Sequence, residues 1–216
     1  MATLVRCRRP TTPLAGPSAV HPQATRPVLE RVPTPLLICD VDGTVRRATE
    51  RPVADPGDVS VFQHARMRIN EWRNDIGGRV VLVSNQGGVA LGTDNPERVV
   101  AAMELTVGEL GGESAVDGWS LCPHHPSKVE CWCRLPRPGL VLSLVSHLES
   151  AHTDETFPPS MAVMVGDSSE AEECAVSLAV AFVDAAAWRD LGVTPVGARS
   201  PATDTMRSYV GSISEG

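Results

Sequence analysis

Leu36-Leu37-Ile38-Cys39-Asp40-Val41-Asp42-Gly43-Thr44 is the stretch that decides how this chain is read. A short apolar run that stops at a glycine-containing turn predicts a buried strand ending in a loop. Asp40 and Asp42 then sit at the carboxyl end of that strand, where open α/β sheets place their ligands. Gly43 permits the sharp turn that lets both acids face one point. Two neighbouring carboxylates repel each other, and a bound cation is the usual means of keeping both ionised. The pattern predicts a metal-assisted site, with one acid as nucleophile and the other as proton carrier.

The same grammar recurs along the chain. Residues 79–83 read as a second buried strand, closed by Ser84-Asn85-Gln86-Gly87-Gly88. Residues 161–165 form another, followed by Gly166-Asp167-Ser168-Ser169, and shorter strands are expected at 119–121 and 181–183. Between them, helical spacing covers residues 59–74, with Phe62, Met67, Ile69 and Trp72 as core contacts and Gly77-Gly78 as the stop. Asn95 or Asp94 caps a helix over 95–110 with Pro96 at its first position. Further helices are expected over 139–152 and 170–178. Strands alternating with helices imply right-handed crossovers and a mostly parallel sheet, an α/β fold of the three-layer, Rossmann-like kind. In such a sheet the loops after Asp40, Ser84 and Gly166 share one edge, so residues distant in sequence converge. The domain is expected over 34–192, flanked by a disordered Pro/Arg-rich tail (1–33) and a loosely ordered tail (193–216).

Composition narrows the function classes. The formal net charge is −7 over 216 residues, which argues against broad electrostatic binding to nucleic acid. Only 4% of residues are aromatic, too few for a stacking platform along single strands. No apolar run approaches the roughly 20 residues that span a bilayer, so membrane association is not expected. The N-terminus lacks the apolar core of a secretory signal, and a cytoplasmic location is the expectation. The sequence leaves the oligomeric state open.

Of six cysteines, Cys122, Cys131 and Cys133 crowd into Cys122-Pro-His124-His125-Pro-Ser-Lys-Val-Glu-Cys131-Trp-Cys133. Cys-x-His followed by Cys-x-Cys supplies three thiolates and an imidazole, a closed tetrahedral set for Zn²⁺. Such a set leaves no position for water, so this zinc would be structural, stapling a loop poor in apolar residues. His125 could replace His124. Cys39 and Cys174 are expected in the core, and Trp72, Trp119, Trp132 and Trp188 read as packing residues, not a ligand cage, with Trp132 inside the zinc loop.

Taken together, Asp40-x-Asp42-Gly43-Thr44, Ser84 and Gly166-Asp167 resemble, in order, the motifs of the haloacid dehalogenase superfamily of phosphohydrolases, over residues 36–188. The Cys-Pro-His-His-Pro and Cys-x-Cys-Arg runs are similar to its zinc-containing branch, which includes heptose-bisphosphate and histidinol-phosphate phosphatases and lacks a large cap domain. The resemblance implies a Mg²⁺-dependent phosphomonoesterase acting on a small phosphorylated sugar or polyol. Asp40 would attack phosphorus, and Asp42 would protonate the leaving oxygen and later activate water. Mg²⁺ would sit among Asp40, the Asp42 carbonyl and Asp167. Thr44, Ser84, Asn85 and Arg134 would contact phosphate or substrate.

Two positions depart from that pattern. Leu135 stands where the branch carries a lysine, and either Arg134 or Arg137 could supply the missing charge, although a guanidinium does not simply replace an ammonium. Ala171 stands where a second acid follows Asp167, with Glu170 or Glu172 as neighbouring substitutes. These departures leave a second reading, a weakened or non-catalytic relative that only binds phosphorylated ligands. The resemblance to phosphatase domains that process nucleic-acid ends implies a third, a polynucleotide 3′-phosphatase.

Overall fold

Alternate residues of the strand Leu36–Asp40 point into two different cores. Leu37 and Cys39 join one apolar cluster, and Leu36 and Ile38 join the other. All four are essentially unexposed. A strand whose two faces are both covered reads as an unbroken apolar run, which is what the sequence shows here. The computed structural model describes residues 30–47, 56–127 and 131–193. The expected tails at 1–29 and 194–216 lie outside these residues.

In chain order the elements are β1 (Val32–Pro33), β2 (Leu36–Asp40), α1 (Gln63–Glu71), β3 (Arg79–Asn85), α2 (Gly88–Leu91), α3 (Pro96–Leu110), β4 (Gly118–Cys122), α4 (Gly139–Ala151), β5 (Glu155–Thr156), β6 (Ala162–Gly166), α5 (Ser169–Leu178), β7 (Ala181–Asp184) and α6 (Ala185–Leu191). Five strands form one parallel sheet in the order β4-β3-β2-β6-β7, and β1 pairs with β5 in a separate two-stranded ladder. Leu37 is registered between Val80 on one side and Val163 on the other. The chain runs outward from β2 through β3 to β4, then crosses to the opposite side for β6 and β7. The strand order therefore reverses at β2, and the crevice at its carboxyl end is where doubly wound sheets bind ligands.

One layer beside the sheet holds α1, α3 and α6, through Ala65 and Ile69, Val99 and Met103, and Ala185 and Trp188. The other holds α4 and α5, through Leu140, Leu144 and Leu148 and through Ala171, Cys174 and Ala175. Each fully buried large aliphatic residue contributes about 1.5–3 kcal/mol relative to exposure, so these two faces carry the bulk of the stability.

Local chemistry sets the element ends. The Asn95 carboxamide accepts from the N–H groups of Glu97 and Arg98, capping α3 as its sequence predicts. The helix expected over 59–74 is shorter as an α-helix and continues as a π-helical turn from Trp72 to Ile76. The Trp72 indole donates to the Arg79 carbonyl at 3.1 Å and lies where a Cβ on Gly78 would stand, so Gly78 admits the indole. Met67 was expected in the core and is 43% exposed, because it faces away from the sheet on the same helix that buries Ile69. Trp132 likewise stands out at 58% exposure, since it lies outside both core layers. Helix α6 has no counterpart in the sequence reading, although its Asp184 cap, accepting from Ala186 and Ala187, is a recognisable start signal.

Candidate active site

Asp40 ends β2 at the centre of the sheet, with its Oδ1 accepting the Val41 N–H at 2.8 Å. The following turn closes through Val45 N–H to Val41 O at 3.0 Å and Gly43 N–H to Arg46 O at 2.8 Å. Gly43 has φ of 79°, and a Cβ there would overlap the Asp167 carboxylate. Glycine is thus required twice, for the left-handed backbone and for the approach of Asp167 from the loop after β6. Asp40, Asp42 and Asp167 converge as the loop argument predicts.

Burial, with some mutual repulsion, raises the proton affinity of Asp40 and Asp167. Burial pushes Asp40 up to about 7, with Asp167, Asp42 and Glu170 adding to the effect and the Val41 N–H opposing it. Burial also pushes Asp167 up, and Asp42 and Asp184 add to it while Arg189 opposes. Buried carboxylates brought together with too little positive charge around them are a cation site in chemical terms. Of the substitute acids considered for Ala171, Glu170 is the one that acts on Asp40. Ala171 itself is fully buried beneath Gly166, in the core and away from solvent.

Asp42 is the most heavily engaged of the three. Its carboxylate accepts from Arg46 Nε at 2.7 Å and Nη2 at 3.1 Å, from Gln86 Nε2 at 2.8 Å and from Ser84 Oγ at 3.4 Å. Gln86 Nε2 also donates to Ser84 Oγ at 2.7 Å. Ser84 is brought to the site as expected. Gln86 and Arg46 were not singled out from the sequence; Gln86 lies in the flagged loop, whereas nothing local marks Arg46. Arg189 is a third addition. From α6 it donates to the carbonyls of Gly43 and Thr44, both at 2.8 Å, and it stacks on Phe62.

Other expected contacts take different places. Thr44 is wholly buried, and its Oγ1 has no hydrogen-bond partner among the described residues. Asn85 uses both ends of its amide on the Leu135 backbone, accepting from N–H at 3.0 Å and donating to C=O at 3.2 Å, so it positions that loop. Leu135 is 3% exposed and packs in the core beside Cys133 and Leu140. Arg137 donates to the Cys131 carbonyl at 3.0 Å and braces the cysteine loop. Arg134 differs: its Nη1 is buried without a hydrogen-bond partner, and it lies against Gly87 in the Ser84–Gly88 loop. Of the two arginines, Arg134 is the one with donor capacity to spare at that loop.

The Cys/His loop closes as its spacing predicts. Cys122, His124, Cys131 and Cys133 place one ligand atom each within 4.8 Å of one another. Separations are 3.1 Å between the Cys131 and Cys133 sulfurs, 3.2 Å from His124 Nδ1 to each of them, and 3.5 Å from Cys122 Sγ to His124 Nδ1. Tetrahedral bonds of about 2.0–2.3 Å give edges of roughly 3.3–3.8 Å, so the cluster has the size of a zinc site. Cys122 is drawn down to about 5, chiefly by the hydrogen bond from Cys133, which favours the thiolate a metal needs. His124, not His125, supplies the imidazole of this cluster, and His125 Nδ1 instead meets Ser127.

No family model matches the chain. Among curated proteins it is similar to D-glycero-alpha-D-manno-heptose-1,7-bisphosphate 7-phosphatase of Mycobacterium tuberculosis, with 31% identity over 60% of this chain; the chain spans 65% of that relative's length. It is 30% identical to D-glycero-beta-D-manno-heptose-1,7-bisphosphate 7-phosphatase of Escherichia coli K12, over 66% of this chain and 74% of the relative. Among solved structures it resembles D,D-heptose 1,7-bisphosphate phosphatase from B. bronchiseptica, crystallised with magnesium and phosphate. There the TM-score is 0.57 and the identity 26%, covering 69% of this chain and 79% of the other. No helix among the described residues is long and apolar enough to cross a membrane.

Proposed function

The chain belongs to the haloacid dehalogenase superfamily, in its heptose-bisphosphate phosphatase branch, and on that premise we propose that it is a Mg²⁺-dependent phosphatase of small phosphorylated sugars. The observation that carries the reading is the meeting of Asp40, Asp42 and Asp167 at the strand-order reversal, with Asp40 holding its proton up to about 7.

The donor set suits a hard divalent cation, since carboxylate and carbonyl oxygens are what Mg²⁺ takes. Asp40, Asp167 and the Asp42 carbonyl would hold it. When bound it supplies positive charge that offsets repulsion between phosphate and carboxylate. The chain's own groups do the rest. An Asp40 carboxylate oxygen attacks phosphorus as the bond to the leaving oxygen breaks, giving an aspartyl-phosphate. Asp42 gives its proton to that oxygen, then takes one from the water that cleaves the aspartyl-phosphate. Ser84 and Arg134 offer donors to the phosphoryl oxygens. The Cys/His cluster holds a structural Zn²⁺ in this reading, and Asn85 and Arg137 tie the zinc loop to the sheet edge.

Phosphate release from p-nitrophenyl phosphate and from a phosphosugar panel, with Mg²⁺ and with a chelator, tests this reading. An Asp40→Asn variant serves as control, and a 3′-phosphorylated oligonucleotide is run in parallel. The expected result is Mg²⁺-dependent turnover of a phosphosugar well above the control. Absence of turnover above that control across the panel refutes the activity. Preference for the oligonucleotide refutes the substrate class.

A further inference from the structure

Among the described residues, Arg46 is the only charged residue in the buried set, at 3% exposure. A buried guanidinium must find partners for its donors or cost several kcal/mol. Arg46 spends nearly all of them on one task. Nε and Nη2 fork onto Asp42 Oδ1 and Oδ2. Nη1 donates to Thr106 Oγ1 at 3.2 Å, and that hydroxyl donates to the Ala102 carbonyl at 2.7 Å, inside α3. The Arg46 carbonyl accepts the Gly43 N–H, so backbone and side chain close the same turn. The Asp42 carboxylate is thereby tied to α3.

A planar fork fixes the plane of a carboxylate as well as its position, which a point charge cannot do. It also selects between the two oxygens. An ionised carboxylate offers about four lone-pair sites. Oδ2 accepts from Nη2, Gln86 and, at longer range, Ser84, whereas among the described residues Oδ1 accepts from Nε alone. The open site is on Oδ1.

We propose that Arg46 is a positioning residue that fixes the Asp42 carboxylate through α3 and leaves Oδ1 as the oxygen that carries the transferred proton. The proposal rests on the phosphatase reading and on the role of Asp42 within it. In the step concerned, the bond from phosphorus to the leaving oxygen breaks and its electron pair stays on that oxygen. The proton passes from Asp42 Oδ1 to it, and Asp42 is left as the carboxylate that the fork already holds. Arg46 exchanges no proton.

Leaving-group dependence tests this. p-Nitrophenolate departs without needing a proton, whereas a sugar alkoxide requires one. The readout is kcat/KM, which reports the steps through departure of the leaving group. For Arg46→Gln, kcat/KM on a sugar phosphate should fall about 100-fold, the low end of what a positioned acid contributes, and on p-nitrophenyl phosphate by less than about tenfold. In an Asp42→Asn background the same substitution should cause no further loss on the sugar phosphate, because the two residues act as one unit. Equal losses on both substrates, or a full additional loss in the Asp42→Asn background, would overturn the proposal. If Arg46→Gln does not fold, Arg46→Lys keeps the charge and removes the fork. It should show the same selective loss, and a wild-type ratio between the substrates would refute the role. Failure of the parent reading is distinguishable, since the unmodified enzyme would then turn over neither substrate above Asp40→Asn.

Discussion

Asp40→Asn should stabilise the metal-free protein at neutral pH while abolishing its turnover. The ordinary carboxyl value for Asp40 is 3.8, and in the fold it is held at about 7. A group whose folded-state value lies above its unfolded one binds its proton more tightly when folded. It costs nothing below about pH 4, where both states are protonated, and the cost grows until both are ionised above 7. The full difference corresponds to roughly 4 kcal/mol at about 1.4 kcal/mol per pH unit. Side-chain adjustment and water entry would leave about half of that, roughly 2 kcal/mol. For a chain of this size that is a rise of about 5 °C in melting temperature. Asparagine keeps the shape and the oxygen that accepts the Val41 N–H, so the charge is what changes. The assay is thermal unfolding of both proteins in chelator at pH 5 and pH 8, then with Mg²⁺. The variant's advantage should be larger at pH 8 than at pH 5. It should shrink or reverse when Mg²⁺ is added, because the unmodified protein gains binding energy that the variant lacks. An equal advantage at both pH values, or none at pH 8, would refute the electrostatic account of this site.

The remaining predictions concern the two ends of the molecule. Metal analysis of purified protein should find about one Zn²⁺ per chain, and Cys131→Ser should lower the melting temperature and release the metal; zinc-free protein with unchanged melting would refute the site. Zinc release should also rise as pH falls, because protons compete with the metal for the thiolates and the imidazole. At the amino end of the strands, Asp117 accepts from Arg73, from Arg79 and from the Val80 N–H, with its side chain 6% exposed. Asp117→Ala removes one acceptor from each arginine and from the Val80 N–H, although Arg73 keeps the Gly78 and Ser114 carbonyls and Arg79 keeps Glu155. It should cost about 2 kcal/mol by chemical denaturation, with kcat unchanged, because the site lies at the other end of the sheet.

Much of this molecule is written locally. The run 36–40, the turn 40–44 and the loops after β3 and β6 announce themselves because a buried strand must be apolar and a tight turn needs glycine. Once those strands are parallel, the meeting of Asp40, Ser84 and Asp167 follows from topology. The zinc set is legible for a similar reason: its ligands lie within twelve residues, so spacing alone constrains them. What escaped the sequence depends on contacts between distant elements. Arg46 looks like a surface residue until α3 covers it and Thr106 receives its donor. Arg189 reaches the turn only because α6 packs beside α1. Asn85 and Arg137 carry the right chemistry for phosphate, yet Asn85 spends its amide on the Leu135 backbone and Arg137 braces Cys131, while Thr44 is wholly buried. Residue type and spacing, by themselves, determined the α/β architecture, the acid cluster and the metal loop. Only the tertiary structure decided which polar groups remain open to a ligand, because the capacity of each donor and acceptor is limited and the partner that claims it is found by packing.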